Sequence, residues 1–338
     1  MVTIRDVAVR AGVSLGTASR VLNGNPSVGD TVRSAVREAI RELNYVPNAA
    51  ARTLRSARTM TIGLIVPDLI NPMTVRLLRG VEDGAIDAGY TVIVAESRLD
   101  ERLEATHITK LVDRQIDGLL CSPIGTISSV GRLVERAGVP TVLLQLRKAT
   151  REFPTVFVDE GPAVAAAVGH LSRLGHQRVA LVHSTSRAAG GRHRRELVRT
   201  ARIECGLDDS PDLDRTFTDS RECFEATREL LRGANRPTAL LVGIHQFVPA
   251  ALKAIRAEGM LVGPDVSLVA FGDSEWSQAI SPSLSTIVVD QEAHAAAAVG
   301  LLLDTMRGDS FLPRGIRNES VFIDRESCLP VPTARRKE

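Results

Sequence analysis

Near the N-terminus the stretch SLGTASRVLN, residues 14–23, gathers small hydroxyl residues, an arginine and an asparagine. Wound as a helix, it puts Ala18, Val21 and Leu22 on one apolar face and Leu15, Gly16, Thr17, Ser19, Arg20 and Asn23 on the other. A guanidinium among hydroxyls suits phosphate oxygens and base edges, because arginine can pair bidentately with guanine. Covalent chemistry is less well supplied. GVSLG at 12–16 matches G-x-S-x-G, but that nucleophile turn needs a buried strand before it, and an amphipathic helical pattern precedes it here. No G-x-x-x-x-G-K-[ST], H-E-x-x-H or C-x-x-C occurs, and the four cysteines (121, 205, 223, 328) are scattered. The expectation is a non-enzyme without cofactor or metal.

The elements that must hold this face are short helices. Ile4, Val7, Ala8 and Ala11 follow the i, i+3, i+4, i+7 spacing of a buried stripe. Gly12 can end that helix in a left-handed turn, and Ser14 is a good N-cap for the next. Val32, Val36, Ala39, Ile40 and Leu43 mark a third helix. Helix, glycine turn and capped helix make the helix-turn-helix pattern, whose second helix can bring side chains to base edges in the major groove. Pro47 ends the third helix. Asn48 can cap a short helix over Ala49–Leu54, which is too short to be stable alone. Residues 47–59 therefore read as a conditional hinge helix or as a plain linker with Leu54 packed on the body.

The tracts TIRDVAVRAGVS, TASRVLNG, IRELNYVPN and AARTLR, in this order and spacing, resemble the LacI/GalR family of bacterial transcription repressors. The resemblance implies that Leu15, Gly16 and Arg20 occupy base-reading positions, with Ser14, Thr17, Ser19 and Asn23 nearer phosphates. It adds Thr3, Asn48, Arg52 and Arg55 to the DNA-contacting set. It also implies a hinge helix paired across a homodimer, with Leu54 wedged into the minor groove, where apolar wedges kink DNA. Gly29 stands where the family usually has a capping Ser, so Asp30 is expected to cap, and Val32 replaces the usual Thr.

From Thr61 apolar strands alternate with helices: TIGLIVP, TVIVAE, DGLLCS and VPTVLLQ, then a second series from FPTVFVDE through RVALVHS, TALLVG, VSLVAFGD and LSTIVVD. Such repeats predict parallel sheets covered on both faces. The expected fold class is an all-α helix-turn-helix head (1–46), the hinge (47–59) and an α/β core of two doubly wound subdomains (60–330). Tracts such as IGLIVPDLINP and LGHQRVAL resemble the periplasmic-binding-protein fold. Three crossovers are then implied. They divide the core into a first half of about 60–157 and 290–317 and a second of about 158–289 and 318–330, with 331–338 a disordered tail.

Ligands in open parallel sheets lie beyond the strands' carboxyl ends. The resemblance accordingly implies an effector cleft touched by Asn71, Met73, Gln145, Asp159, Arg194, His245, Asp273 and Trp276. The chain departs from the family in this cleft. Met73 and Thr74 replace aromatics, Gln145 replaces Asp or Asn, Leu197-Val198 replaces a Gly-aromatic pair, and Ile244-His245 replaces Asn-Asp. With 11 aromatic residues in the chain, the expected effector is a sugar or, through Arg76, Arg147 or Arg194, a small anionic metabolite. An effector-independent regulator and a non-specific architectural DNA binder are the alternatives.

Charge agrees with a nucleic-acid partner. Residues 1–58 hold nine arginines against four acidic residues, a net +5 within a chain total of +2, so the rest carries −3. No run approaches the ~18 apolar residues needed to span a membrane, and the chain reads as cytoplasmic and nucleoid-associated.

Overall fold

The computed structural model describes residues 2–22, 25–45, 58–124, 126–146, 148–150, 152–185, 191–308 and 315–331. Two compact units result, Met1–Thr59 and Met60–Glu338. In the first, helices α1 (Ile4–Arg10), α2 (Leu15–Leu22) and α3 (Asp30–Glu42) enclose a core of Val7, Ala8, Ala18, Val21, Val28, Val36 and Ala39. At the start of α1 the Asp6 carboxylate accepts from both the Thr3 N–H and hydroxyl at 2.8 Å. Gly12, at φ 66°, makes the left-handed turn into α2. Helix α3 starts differently from the expectation. Gly29 is its N-cap, no side chain caps it, and Asp30 is already helical. The Arg33 guanidinium closes this corner instead, donating to the Val28 carbonyl at 3.0 Å. The hinge positions Asn48, Arg52, Leu54 and Arg55, together with Asn23, lie outside the described residues.

The larger unit contains β1 (Thr61–Val66), β2 (Thr91–Glu96), β3 (Gly118–Cys121), β4 (Thr141–Leu146) and β5 (Thr155–Asp159). A second series is β6 (Val179–Ser184), β7 (Asp214–Phe217), β8 (Ala239–Val242), β9 (Ser267–Phe271) and β10 (Ser285–Val289). They join through β11 (Gly315–Ile323) in the order β2-β1-β3-β4-β5-β11-β10-β9-β8-β6-β7. Each series has its second strand outermost and its first strand next to its third, the doubly wound order. The Val/Ile/Leu runs of β1, β3, β6, β8 and β9 are buried because helices cover both faces.

On the first sheet, α4 (Pro72–Asp87) and α12 (Gln291–Arg307) cover one face, and α5 (Glu101–Asp113) and α6 (Ile127–Glu135) the other. On the second, α7 (Gly161–Arg173) and α8 (Gly191–Glu204) cover one face, and α9 (Ser220–Arg232) and α10 (Val248–Ala257) the other. A short α11 (Glu275–Ala279) follows β9. Helix starts are written locally: Asn71, Asp100, Asp219 and Asp290 accept from their own first-turn N–H groups.

Strand β11 ties the halves together. Residues 315–319 pair parallel with β5, and residues 320–323 pair antiparallel with β10. Helix α12 follows β10 yet packs on α4, β3 and β4. The chain therefore passes between halves at β5–α7, at β10–α12 and within β11. Val331 donates its N–H to the Leu174 carbonyl at 3.0 Å, and residues 332–338 lie outside the described residues.

Candidate functional site

In the small unit α2 exposes Leu15, Gly16 and Arg20, while Ala18 and Val21 are buried. Thr17 and Ser19 are half-buried. Ser14 Oγ accepts from the Thr17 N–H at 3.1 Å and lies 2.9 Å from Thr17 Oγ1, so these two hydroxyls serve the cap. A Cβ on Gly16 would meet only Ser14 Oγ, at 3.8 Å. Packing therefore does not demand glycine there. Gly16 instead adds no side chain to the exposed face that carries Leu15 and Arg20. No ion pair holds Arg20 among the described residues, whereas Arg10 is paired to Glu42 at 2.6 Å. The exposed face is thus an arginine, a leucine and a bare glycine on a capped helix.

In the large unit a cleft with about 1060 Å³ of space, its open mouth included, lies where strands of both halves end. Five of the eight expected residues are in its wall: Asn71, Met73, Gln145, Arg194 and His245. Asn71 Oδ1 is used in capping α4, accepting from the Met73 N–H at 3.0 Å. Gln145 sits where the β4–β5 register slips, with φ at 54°. A bulge of this kind re-aims a side chain, and here it brings Gln145 to the cavity. Met73 and His245 meet over Gly272, whose φ is 100°; a Cβ there would lie 2.9 Å from His245 Cβ and 3.2 Å from Met73 Cγ. Glycine is required at this point by backbone and by space.

Asp159, Asp273 and Trp276 do not line the cavity. Asp159 Oδ1 accepts from the Gly161 N–H at 2.9 Å, and Oδ2 pairs with Arg317 of β11 at 2.6 Å. Asp273 is bound to Arg325 at 2.6 Å and accepts from Ser277 Oγ at 2.7 Å. Burial alone would raise its pKa, but these donors outweigh it and hold the carboxyl below its ordinary value. Trp276 stands behind the wall, its ring 5.0 Å from that of His245.

The wall contains groups that sequence reading passed over. Glu160 is the chief one. Its carboxylate accepts from Arg194 Nε at 3.0 and 3.2 Å and from Nη2 at 2.5 Å. Arg194 Nη1 donates to the Gly243 carbonyl, and the guanidinium lies 4.5 Å over the Phe271 ring. The cation aligned with the family's effector arginine is therefore already neutralised by protein. Asp68 adds a further negative charge to the wall, and Arg76 is not part of it. Arg147 lies outside the described residues. His245 donates to or accepts from Ser274 Oγ at 2.8 Å, and burial pushes its pKa down, so it is neutral near pH 7. His245 Nδ1, Gln246 Oε1 and Gln291 Oε1, all on wall residues, are buried without a hydrogen-bond partner. Phe247, Phe271 and Ile244 supply apolar surface. Ser184, Phe271 and Gln291 each stand at or just beyond a strand's carboxyl end, a position that could have marked them.

Comparison with known proteins joins the two parts. Residues 3–48 match the model of bacterial regulatory proteins of the lacI family, and residues 168–328 match a periplasmic binding protein-like domain. Catabolite control protein A of Priestia megaterium is 32% identical over 314 residues, covering 91% of this chain and 94% of the relative. The chain belongs to the LacI family. The lac repressor dimer bound to operator and the anti-inducer ONPF superimposes with a TM-score of 0.87 at 26% identity, over 97% of this chain and 99% of that one. The cellobiose complex of the transcriptional regulator CelR matches at 0.73 and 27% identity, over 97% and 100%. The expected fold class, a helix-turn-helix head on a two-half α/β core, is borne out.

Proposed function

We propose that this LacI-family chain is a sequence-specific transcriptional repressor that binds a near-palindromic operator as a homodimer and answers to an uncharged, hydroxyl-bearing effector in the cleft. The observation that carries the reading is the pairing, in one family chain, of an exposed Leu15–Gly16–Arg20 face with a two-half body built around a closable cleft. Two-fold proteins read two-fold DNA. Helix α4 leaves Val75 and Ile86, eleven residues apart and so on one helical face, 47% and 61% exposed, with Ile70 beside them in sequence at 81%. Exposed apolar side chains of this kind suit burial against a second subunit.

The choice of an uncharged effector over an anionic one rests on Arg194, whose charge is met by Glu160 inside the wall. The unpartnered Gln246 and Gln291 oxygens accept hydrogen bonds, and a polyol donates them. An effector that closes the cleft shifts the dimer between two hinge states by no more than its differential affinity for them. Catalysis is not part of the reading. Ser274 and His245 form a hydroxyl–imidazole pair, but His245 Nδ1 has no carboxylate partner and Asp273 is committed to Arg325. No described helix is long and apolar enough to cross a membrane, and a cytoplasmic, nucleoid-associated location fits the DNA partner.

The test is selection of genomic fragments by the purified protein at moderate salt, followed by sequencing. One enriched near-palindrome supports the proposal. Uniform recovery whose affinity follows salt alone overturns it in favour of an architectural binder.

A further inference from the structure

Outside the cleft, one cluster of metal-binding side chains comes together from distant parts of the sequence. His170 lies on α7, Asp324 just beyond β11, and Cys328 four residues later. Their Nε2, carboxylate oxygen and Sγ atoms all lie within 4.8 Å of one another. His170 Nε2 is 3.3 Å from Asp324 Oδ1, yet this buried nitrogen makes no hydrogen bond of regular geometry. The Cys328 thiol is 6% exposed and donates weakly to the Leu268 carbonyl at 3.8 Å, with the Ser285 and Ser327 hydroxyls beside it. Asp324 is about half exposed, which opens a path from solvent.

From these three donors we infer a binding site for a thiophilic divalent cation, Zn²⁺ by ligand chemistry, that clamps α7 to the segment following β11. Nitrogen, sulfur and one carboxylate oxygen are the zinc donor set, and a fourth position is left for water. Zinc bonds of about 2.0 Å to N or O and about 2.3 Å to S place tetrahedral donors roughly 3.3–3.5 Å apart. The observed His170–Asp324 distance of 3.3 Å already fits, and Cys328 Sγ, within 4.8 Å of both, needs to move by at most roughly 1.3 Å. Supporting contacts are in place. Ser285 Oγ donates to Asp324 Oδ1 at 3.2 Å, and the His170 ring packs against Phe322 with centroids 5.5 Å apart. Binding replaces the thiol proton: the S–H bond breaks, the thiolate pair goes to the metal, and the proton leaves to solvent. The local sequence gives no sign of this, because 154 residues separate His170 from Asp324.

The experiment titrates the metal-free full-length protein with Zn²⁺ by calorimetry, and with Co²⁺ followed by absorbance. The expected result is one equivalent per chain, a thiolate-to-Co²⁺ charge-transfer band with intense tetrahedral visible bands, and a Tm that rises with Zn²⁺. Cys328→Ser and His170→Gln should each lower affinity at least tenfold and abolish the charge-transfer band. Cys205→Ser, altering a half-exposed thiol elsewhere, should leave both unchanged. Should His170→Gln fold poorly, Asp324→Asn provides the second variant at a more exposed position. Absence of stoichiometric binding overturns the site, as does binding that survives Cys328→Ser or a spectrum lacking a thiolate band.

Discussion

Replacing Glu160 with Gln tests the reading of the cleft most directly. The side chain keeps its shape but loses its charge, leaving the Arg194 guanidinium with an amide that can satisfy only part of its donor fork. The Glu160 side chain is 5% exposed and that of Arg194 15%, so water compensates little. Breaking such a pair typically costs about 3–5 kcal/mol, because one buried charge is left uncompensated. Arg194 retains the Gly243 carbonyl and the Phe271 face, which puts the expected loss near the lower end, about 3 kcal/mol. For a unit of this size that corresponds to a fall in Tm of roughly 5–10 °C. Glu160→Gln/Arg194→Met should recover most of the loss, since an apolar pair replaces the ionic one. Sulfate or a sugar phosphate should raise the Tm of the single variant much more than that of the parent. Calorimetry or urea unfolding of the parent, Glu160→Gln, Arg194→Met and the double variant measures the coupling. A single variant as stable as the parent, or one no less stable than the double, would show that the pair does not neutralise the cleft.

Three further outcomes are expected. Arg20→Ala should weaken operator binding by about 1–3 kcal/mol with less effect on non-specific DNA, measured by gel mobility at fixed salt; equal losses on both refute base reading. Gly16→Ala should stabilise the head by about 0.5–1 kcal/mol, because its Cβ meets no close neighbour and alanine favours helix. The same methyl should project from the exposed face and reduce operator affinity, so unchanged binding would remove Gly16 from the DNA-facing set. His294, fully buried, has its pKa pushed down from 6.5 to about 4 by burial, with Nδ1 paired to Asn318 at 3.1 Å and Nε2 unpartnered. The unfolded chain then binds this proton more readily than the folded one. The stability involved is complete above about pH 6.5, declines as pH falls, and is fully lost below about pH 4, a total of about 3 kcal/mol. His294→Gln should flatten that part of the urea-midpoint profile, and an unchanged acid slope refutes the assignment.

The alternation of strands and helices was legible because strands such as β1, β6 and β9 are largely apolar runs buried on both faces. Two strands were less so, for opposite reasons. Strand β7 (DRTF) carries a single apolar residue, Phe217, because it lies at the sheet edge and pairs only with β6. Strand β11 extends eight residues beyond its first, Gly315, whereas the apolar signal begins only at Val321. It changes partner midway, from β5 on one side to β10 on the other, so neither face keeps one environment long enough to write a pattern. Helix α4 begins at Pro72, ahead of its apolar stripe, because Asn71 and Pro72 supply a start that hydrophobic spacing does not record.

The cleft was legible where a residue belongs to one strand end and illegible where its role depends on a partner far away. Asn71, Gln145 and His245 follow β1, end β4 and follow β8, and the rule for parallel sheets already places such positions at the cavity. Arg194 reads in sequence as part of the basic cluster RHRR at 192–195, and nothing local separates it from Arg195. In the fold the two diverge: Arg195 turns to Asp214 at 3.0 Å, half exposed, while Arg194 enters the wall and meets Glu160. Glu160 comes from 34 residues earlier, at the first passage between the halves. Its neighbour Asp159 binds Arg317 at the last passage, in β11. One dipeptide thus ties the cleft's only charged pair among the described residues to two of the three connections between the halves. Arg194 in the cleft wall is thereby connected through Glu160 and Asp159 to Arg317 of β11, a linkage invisible in any window of sequence shorter than the fold.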